Sequence, residues 1–156
     1  MTDIKVKAFE TGEAEIFYRM AALFHGSDAV AYGEINPQAL SNTFYDCTNN
    51  SPYISGFFVC CDNEICGYLL ITFSYSNEYG GKIMIIDEIF ILEEHRGRGI
   101  AYDSIKSVIS KYIDDVVYVE VEVKKDNEKA IDLYKKFDFK FNDYLLMYKF
   151  FNRTNL

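Results

Sequence analysis

The sequence predicts an α/β domain, a mixed central sheet of about 6–7 strands flanked by helices. Short strand-like and helix-like segments follow one another with little connecting sequence, and the only prolines are Pro37 and Pro52. Three apolar runs between Gly56 and Leu92 are separated by turn residues, the pattern of a meander. Further on, Val117, Val119, Val121 and Val123 alternate with other residues between two helical stretches, which reads as a strand joined to its predecessor by a helix.

Taken in order, residues 3–9 alternate as a strand, and residues 13–24 set Ile16, Met20 and Leu23 on one helix face. The polar stretch 25–50 accommodates a second short helix and a loop. Asp62, Asn63 and Glu64 form a turn between two strands, and Tyr79, Gly80 and Gly81 turn into the apolar run Ile83–Leu92. Helical spacing returns at Ile105, Val108, Ile109 and Tyr112, ending near Asp114, before the valine strand, which has one face buried. Asp126 or Asn127 caps a further helix with Ala130, Tyr134 and Phe137 on one side. Residues 139–151 close with one or two strands.

With 156 residues and 49% apolar content, the chain fits one domain, residues 1–156, that buries roughly 70% of its unfolded surface. A net charge of −8 argues against a general affinity for nucleic acid. It favours cationic small molecules or basic partners, and is equally the ordinary surface charge of a soluble domain. No run approaches the roughly 18 apolar residues of a membrane helix, and the first ten residues lack the apolar stretch of a signal peptide. A cytoplasmic protein without a membrane partner is the expectation. Cys47, Cys60, Cys61 and Cys66 form no C-x-x-C pair, and neighbouring residues of a strand point to opposite faces, so buried free thiols are expected rather than zinc or disulfides.

The segment Arg96-Gly97-Arg98-Gly99-Ile100-Ala101 stands where a strand feeds a helix. Such a turn directs unpaired backbone N–H groups at one spot, glycines let an anion approach the main chain, and arginines add charge-assisted hydrogen bonds. A dinucleotide fingerprint would need a third glycine where Tyr102 stands, and the P-loop pattern is absent. Residue types alone leave two readings open, an anion site and a plain turn.

This segment resembles the [RQ]-x-x-G-x-[GA] motif of the GNAT superfamily of acyl-CoA-dependent N-acyltransferases. Asn127 to Phe139, "NEKAIDLYKKFDF", is similar to that family's Asn-x-x-Ala-x-x-x-Tyr-x-x-x-Gly-Phe segment. The resemblance implies the GNAT fold, with splayed central parallel strands, and acetyl-CoA as cosubstrate. Its pyrophosphate would lie on the main chain of Gly97, Arg98, Gly99, Ile100, Ala101 and Tyr102 with help from the Arg96 and Arg98 side chains. Its pantetheine arm would pair with Ile89, Phe90 and Ile91 and bond to Asn127. Asp138 departs from the family's glycine, although aspartate tolerates left-handed backbone better than most residues.

An alkylamine with pKa near 10.4 reaches its nucleophilic form at pH 7 only at a cost of roughly 4–5 kcal/mol, so a base matters. Asp87 and Glu88 interrupt an apolar strand, their side chains expected on opposite faces. They are either partners for Lys or Arg, or a base or ammonium anchor. The resemblance likens "DEIF", Asp87–Phe90, to the paired acids of polyamine and small-amine acetyltransferases, with Glu88 the first choice and Asp87 the second. It also makes Tyr134 the acid that protonates the departing thiolate, where residue type alone favours a packing role. His25 and His95 read as structural or surface residues, and no metal site is expected.

The resulting expectation is acetyl transfer from acetyl-CoA to a primary amine of a small cationic substrate in a ternary complex. The acceptor would enter near residues 25–50, where Asp28, Glu34 and Asp46 attract a cation. Alternatives are a protein N-terminal or lysine acetyltransferase, and a non-catalytic acyl-CoA sensor, which would tend to lose Tyr134 and the strand acids. A homodimer through the end strands stays open.

Overall fold

Asp62 and Asn63 both adopt left-handed backbone, with φ of 52° and 70°, which makes the tight two-residue hairpin turn whose twist matches the strands it joins. It links β2 (Ile54–Cys61) to β3 (Glu64–Ser76), the first half of the expected meander. The computed structural model describes residues 3–27 and 35–151. They fall into two compact units, Met1–Lys124 and Lys125–Leu156.

In the first unit, β1 (Ile4–Ala8), β2, β3, β4 (Gly81–Ile91) and β5 (Tyr118–Val121) form one sheet in sequence order. The first four strands are antiparallel neighbours, and β5 runs parallel to β4 after a crossover through α3 (Ile100–Tyr112). The polar stretch before β2 supplies α2 (Pro37–Thr48), started by Pro37 and by the Asn36 side chain, which accepts the Gln38 N–H at 2.8 Å.

One sheet face meets α1 (Ala14–His25) and α2 through an aromatic core of Phe9, Phe17, Phe44, Phe58, Tyr68 and Phe90. Ring centroids lie 4.5 Å apart for Phe9–Phe58 and 5.2 Å for the edge-on pair Phe17–Tyr68, within the favourable range for such pairs. The other face meets α3, where the Tyr112 ring stands 5.3 Å from Phe73 and Lys111 Nζ 4.9 Å from Phe57. Ile100, Ile105 and Val108 are the buried apolar stripe of that helix.

The valine strand departs from expectation. Its residues 118–121 are all half-buried and Val117 is exposed, as suits a strand that stands at the edge of the described sheet.

In the second unit, Asn127 caps α4 (Glu128–Lys135), its Oδ1 accepting the Ala130 N–H at 3.1 Å. The helix ends on Asp138, whose φ of 61° is left-handed. Asp138 N–H donates to Lys135 O at 3.0 Å and Phe139 N–H to Tyr134 O at 3.3 Å, which is the Schellman arrangement. The Phe139 ring packs 5.8 Å from that of Tyr134. Aspartate thus does the work of the family's glycine, as its tolerance of this backbone allows.

Residues 140–151 form no strand among the described residues, and Phe141, Leu145 and Met147 are exposed. The sheet therefore has five described strands, not six or seven. Apolar alternation marks a segment able to be a strand, but a ladder partner makes it one.

Candidate functional site

The parallel ladder of β4 with β5 runs from Ile83↔Tyr118 to Ile86↔Val121 and stops there, while β4 continues to Ile91 alongside β3. On its β5 side the stretch Asp87–Ile91 therefore offers backbone groups beyond the end of the ladder.

The same point carries a β-bulge. Leu70 lies opposite Glu88 and Ile71 opposite Ile86, so Asp87 is an extra residue on β4. Ile86 and Ile89 lie opposite Ile71 and Leu69, on the α3 face, three positions apart where plain alternation needs two or four. The expectation that Asp87 and Glu88 alternate regularly is thereby corrected, since the bulge re-aims the side chain between them.

Glu88 points toward α1. Its Oε2 accepts the Tyr68 hydroxyl at 2.6 Å, and its Oε1 lies 2.8 Å from His25 Nε2 in the last turn of α1. The side chains of His25 and Glu88 are only 14% and 13% exposed. Burial, followed by the Glu88 charge, pushes the Tyr68 phenol far above its ordinary range, so it stays a donor. Of the two readings for His25, structural or surface, the first holds: it is half of a largely buried pair. Glu88 likewise has no Lys or Arg partner among the described contacts, its donors being a phenol and an imidazole.

Asp87 is open to solvent at the bulge, yet its carboxyl is pushed up to about 6. Withdrawal from water is the largest cause, the Glu88 charge the second and Glu122 the third, with His25 acting in the opposite direction. Because the group reaches solvent, water tempers the first cause, and the two neighbouring carboxylates secure the direction.

Beyond β4, a short 3-10 turn, Glu93–His95, leads into the glycine segment. Gly97 and Gly99 have φ of 75° and 78°, a backbone that side chains other than glycine adopt only with strain. The first bond into α3 is from Asp103 N–H to Gly99 O at 3.1 Å, so the amides of Ile100 and Ala101 precede the helix's own ladder. Amides placed in this way at a helix N-terminus, beside glycines, are able to receive an anion.

The two arginines divide. Arg96 Nε donates to Ile91 O at 2.8 Å and its guanidinium lies 5.6 Å from the centre of the Phe90 ring, tying the turn to the end of β4. Arg98 is exposed and stands 3.7 Å from Asp62 and 3.5 Å from His95 Nδ1. Ile89 is half-buried, Phe90 and Ile91 are buried, and Tyr102 and Ala101 are half-buried in the first turn of α3. Gly67, opposite Ile91, allows close approach, because a Cβ there would sit 2.2 Å from Phe90 O.

In the second unit, burial pushes Tyr134 up to about 12, and the Asn127 Oδ1 is used by its own helix. Asp46 lies exposed on α2, whereas Asp28 and Glu34 fall outside the described residues. Cys61 and Cys66 are buried and Cys47 and Cys60 half-buried, all as free thiols. Burial raises Cys66 to about 11 and Cys47 to about 12, so neither is a ready nucleophile.

Sequence reasoning missed Tyr68 and linked His25 to nothing. Tyr68 left a signal, a lone hydroxyl inside an apolar run two residues from the partner of Glu88 in the meander. His25, 63 residues from Glu88, left none.

The fold is shared with solved acetyltransferases. A possible acetyltransferase from Clostridium difficile 630 matches with TM-score 0.77 and 15% identity over 94% of this chain and 96% of that one. The aminoglycoside N-acetyltransferase AAC(6')-Iy, solved in complex with CoA, gives 0.76 and 12% over 96% and 95%. The ribosomal-protein-alanine N-acetyltransferase of Brucella melitensis biovar Abortus 2308 gives 0.72 and 14% over 96% and 100%. No curated protein sequence matches the chain. Among the described residues no helix is long and apolar enough to cross a membrane. The acetyltransferase (GNAT) family matches residues 17–139, which takes in the strand acids, the glycine turn and α4. A strand that outruns its parallel neighbour, a glycine turn opening a helix and this match together make the chain a member of the GNAT family, acetyl-CoA-dependent N-acetyltransferases.

Proposed function

We propose that the protein transfers the acetyl group of acetyl-CoA to a primary amine of a small cationic substrate, by direct attack in a ternary complex. The observation that carries the choice of acceptor is the concentration of acidic charge at the end of the β4–β5 ladder, where the carboxylates of Glu88 and Glu122 both bear on Asp87. Such a cluster attracts an ammonium group.

In this reading the amides of Gly97, Arg98, Gly99, Ile100, Ala101 and Tyr102 hold the diphosphate, with the Arg98 side chain adding charge and Arg96 fixing the turn. The pantetheine arm extends along Ile89, Phe90 and Ile91, where β4 has no β5 beside it, and Asn127 is its further hydrogen-bonding partner. A carboxylate of the Asp87–Glu88 pair takes one proton from the ammonium, directly or through water. The freed nitrogen lone pair attacks the thioester carbonyl carbon, so a C–N bond forms and the C–S bond breaks. The nitrogen releases its second proton to water, and the thiolate takes one from Tyr134, which is replenished from solvent. Net, ammonium and thioester give amide, thiol and one proton. A phenol held near 12 is protonated at neutral pH, as a proton donor must be.

The four free cysteines support a cytoplasmic setting. The test is thiol release from acetyl-CoA with polyamines, aminoglycosides, amino acids and lysine peptides in parallel. Small polyamines or aminoglycosides should be preferred. Preference for peptides would move the protein to protein acetylation, and coenzyme binding by calorimetry without release from any acceptor would make it a sensor.

A further inference from the structure

We infer that Asp87, rather than Glu88, is the group that accepts the substrate's proton, and that His25 and Tyr68 are positioning residues that hold Glu88 as a fixed anion beside it. The inference rests on the acetyl-transfer reading above and deepens it.

The geometry of Glu88 is the starting point. Each of its oxygens already faces a donor, the Tyr68 hydroxyl on one and His25 Nε2 on the other. A proton arriving from substrate would have to displace one of these two partners. Both partners come from the frame of the fold, Tyr68 from β3 and the aromatic core, His25 from the last turn of α1. Glu88 is therefore built in, while its neighbour is not.

Asp87 has the opposite character. It is the supernumerary residue of the bulge, open to solvent, at the point where β4 parts from β5. The groups that bear on it are Glu88 on its own strand, Glu122 just after β5, and His25 on α1. The fixed Glu88 charge makes Asp87 more basic, and His25 restrains that effect. An ordinary aspartate would be too weak a base near neutral pH, so an immobile anion next to it is a means of tuning it. His25 and Tyr68 touch neither substrate nor coenzyme in this scheme; they act through Glu88.

The test uses the full chain as wild type and as Asp87→Asn, Glu88→Gln, His25→Asn and Tyr68→Phe. Two readouts are taken, the pH dependence of kcat/KM for the best amine and the NMR titration of the Asp87 carboxyl. Asp87→Asn should lower kcat/KM by about a hundredfold or more and erase the acidic limb, the scale of a lost general base. Glu88→Gln should lower it less than tenfold and shift both the limb and the Asp87 titration to lower pH. His25→Asn should shift both to higher pH, and Tyr68→Phe should alter the limb with circular dichroism unchanged. A merely structural role for His25 would lower activity at every pH alike and overturn the assignment. So would a Glu88→Gln variant that loses the limb while Asp87→Asn keeps it. If wild type releases no thiol with any amine, the acetyl-transfer reading fails and the base assignment with it. Normal turnover with an Asp87 titration identical in all variants sinks only the present inference.

Discussion

Replacing Asp87 by Asn should stabilise the folded protein at pH 8 and change it little at pH 4. The folded-state carboxyl is raised from 3.8 to about 6, so between these values the native chain binds more protons than the unfolded chain. Stability contributed by the protonated group is fully present below 3.8 and is lost as pH rises through 6. The full shift corresponds to about 3 kcal/mol at 1.36 kcal/mol per pH unit. Asp87 reaches solvent, and screening cuts such a figure by half or more, which leaves about 1–1.5 kcal/mol. For a chain of this size, that is a rise of about 3–5 °C in Tm. Urea denaturation of both proteins at pH 4 and pH 8 measures it, the mutant-minus-wild-type difference cancelling the other carboxylates. An equal gain at both pH values, or a loss at pH 8, would refute the assigned electrostatics. With Asp87 as the proposed base, activity should move the other way.

At the end of α4, Asp138→Gly should raise stability by about 0.5–1 kcal/mol and Asp138→Val lower it by about 1–2 kcal/mol, because φ there is 61°; thermal melts decide this. Phe17→Ala, at a fully buried ring between α1 and the sheet, should cost about 3–5 kcal/mol in denaturant unfolding. Gly97→Val and Gly99→Val place a branched side chain on left-handed backbone at the helix start, and calorimetry should show coenzyme A binding weakened tenfold or more in each. If the turn is a plain connector, these two variants will bind coenzyme as wild type does.

Local features were the most legible. The Asp62-Asn63 turn, the Asn127 cap and the left-handed Asp138 were readable because each depends on a few adjacent residues and their backbone preferences. The order of elements through α4 followed from periodicity in the same way. What escaped needs pairing between distant segments. The bulge at Asp87 exists only in the register of β4 against β3, and an apolar strand with two acids looks the same with or without it. The His25–Glu88 contact joins a helix end to a strand across the core, and no spacing rule reaches that far. The closing segment failed for a related reason, since an alternating pattern is silent about which edge receives it.

The single surplus residue in β4 also separates the proposed base from the architecture. Drop Asp87, and Ile86 and Glu88 become ordinary successive strand residues, each still opposite its own partner on β3. The flanking registers would survive, and only the re-aimed acid would be gone. A lineage can therefore acquire or discard this acid by a one-codon insertion or deletion without rebuilding the scaffold around it.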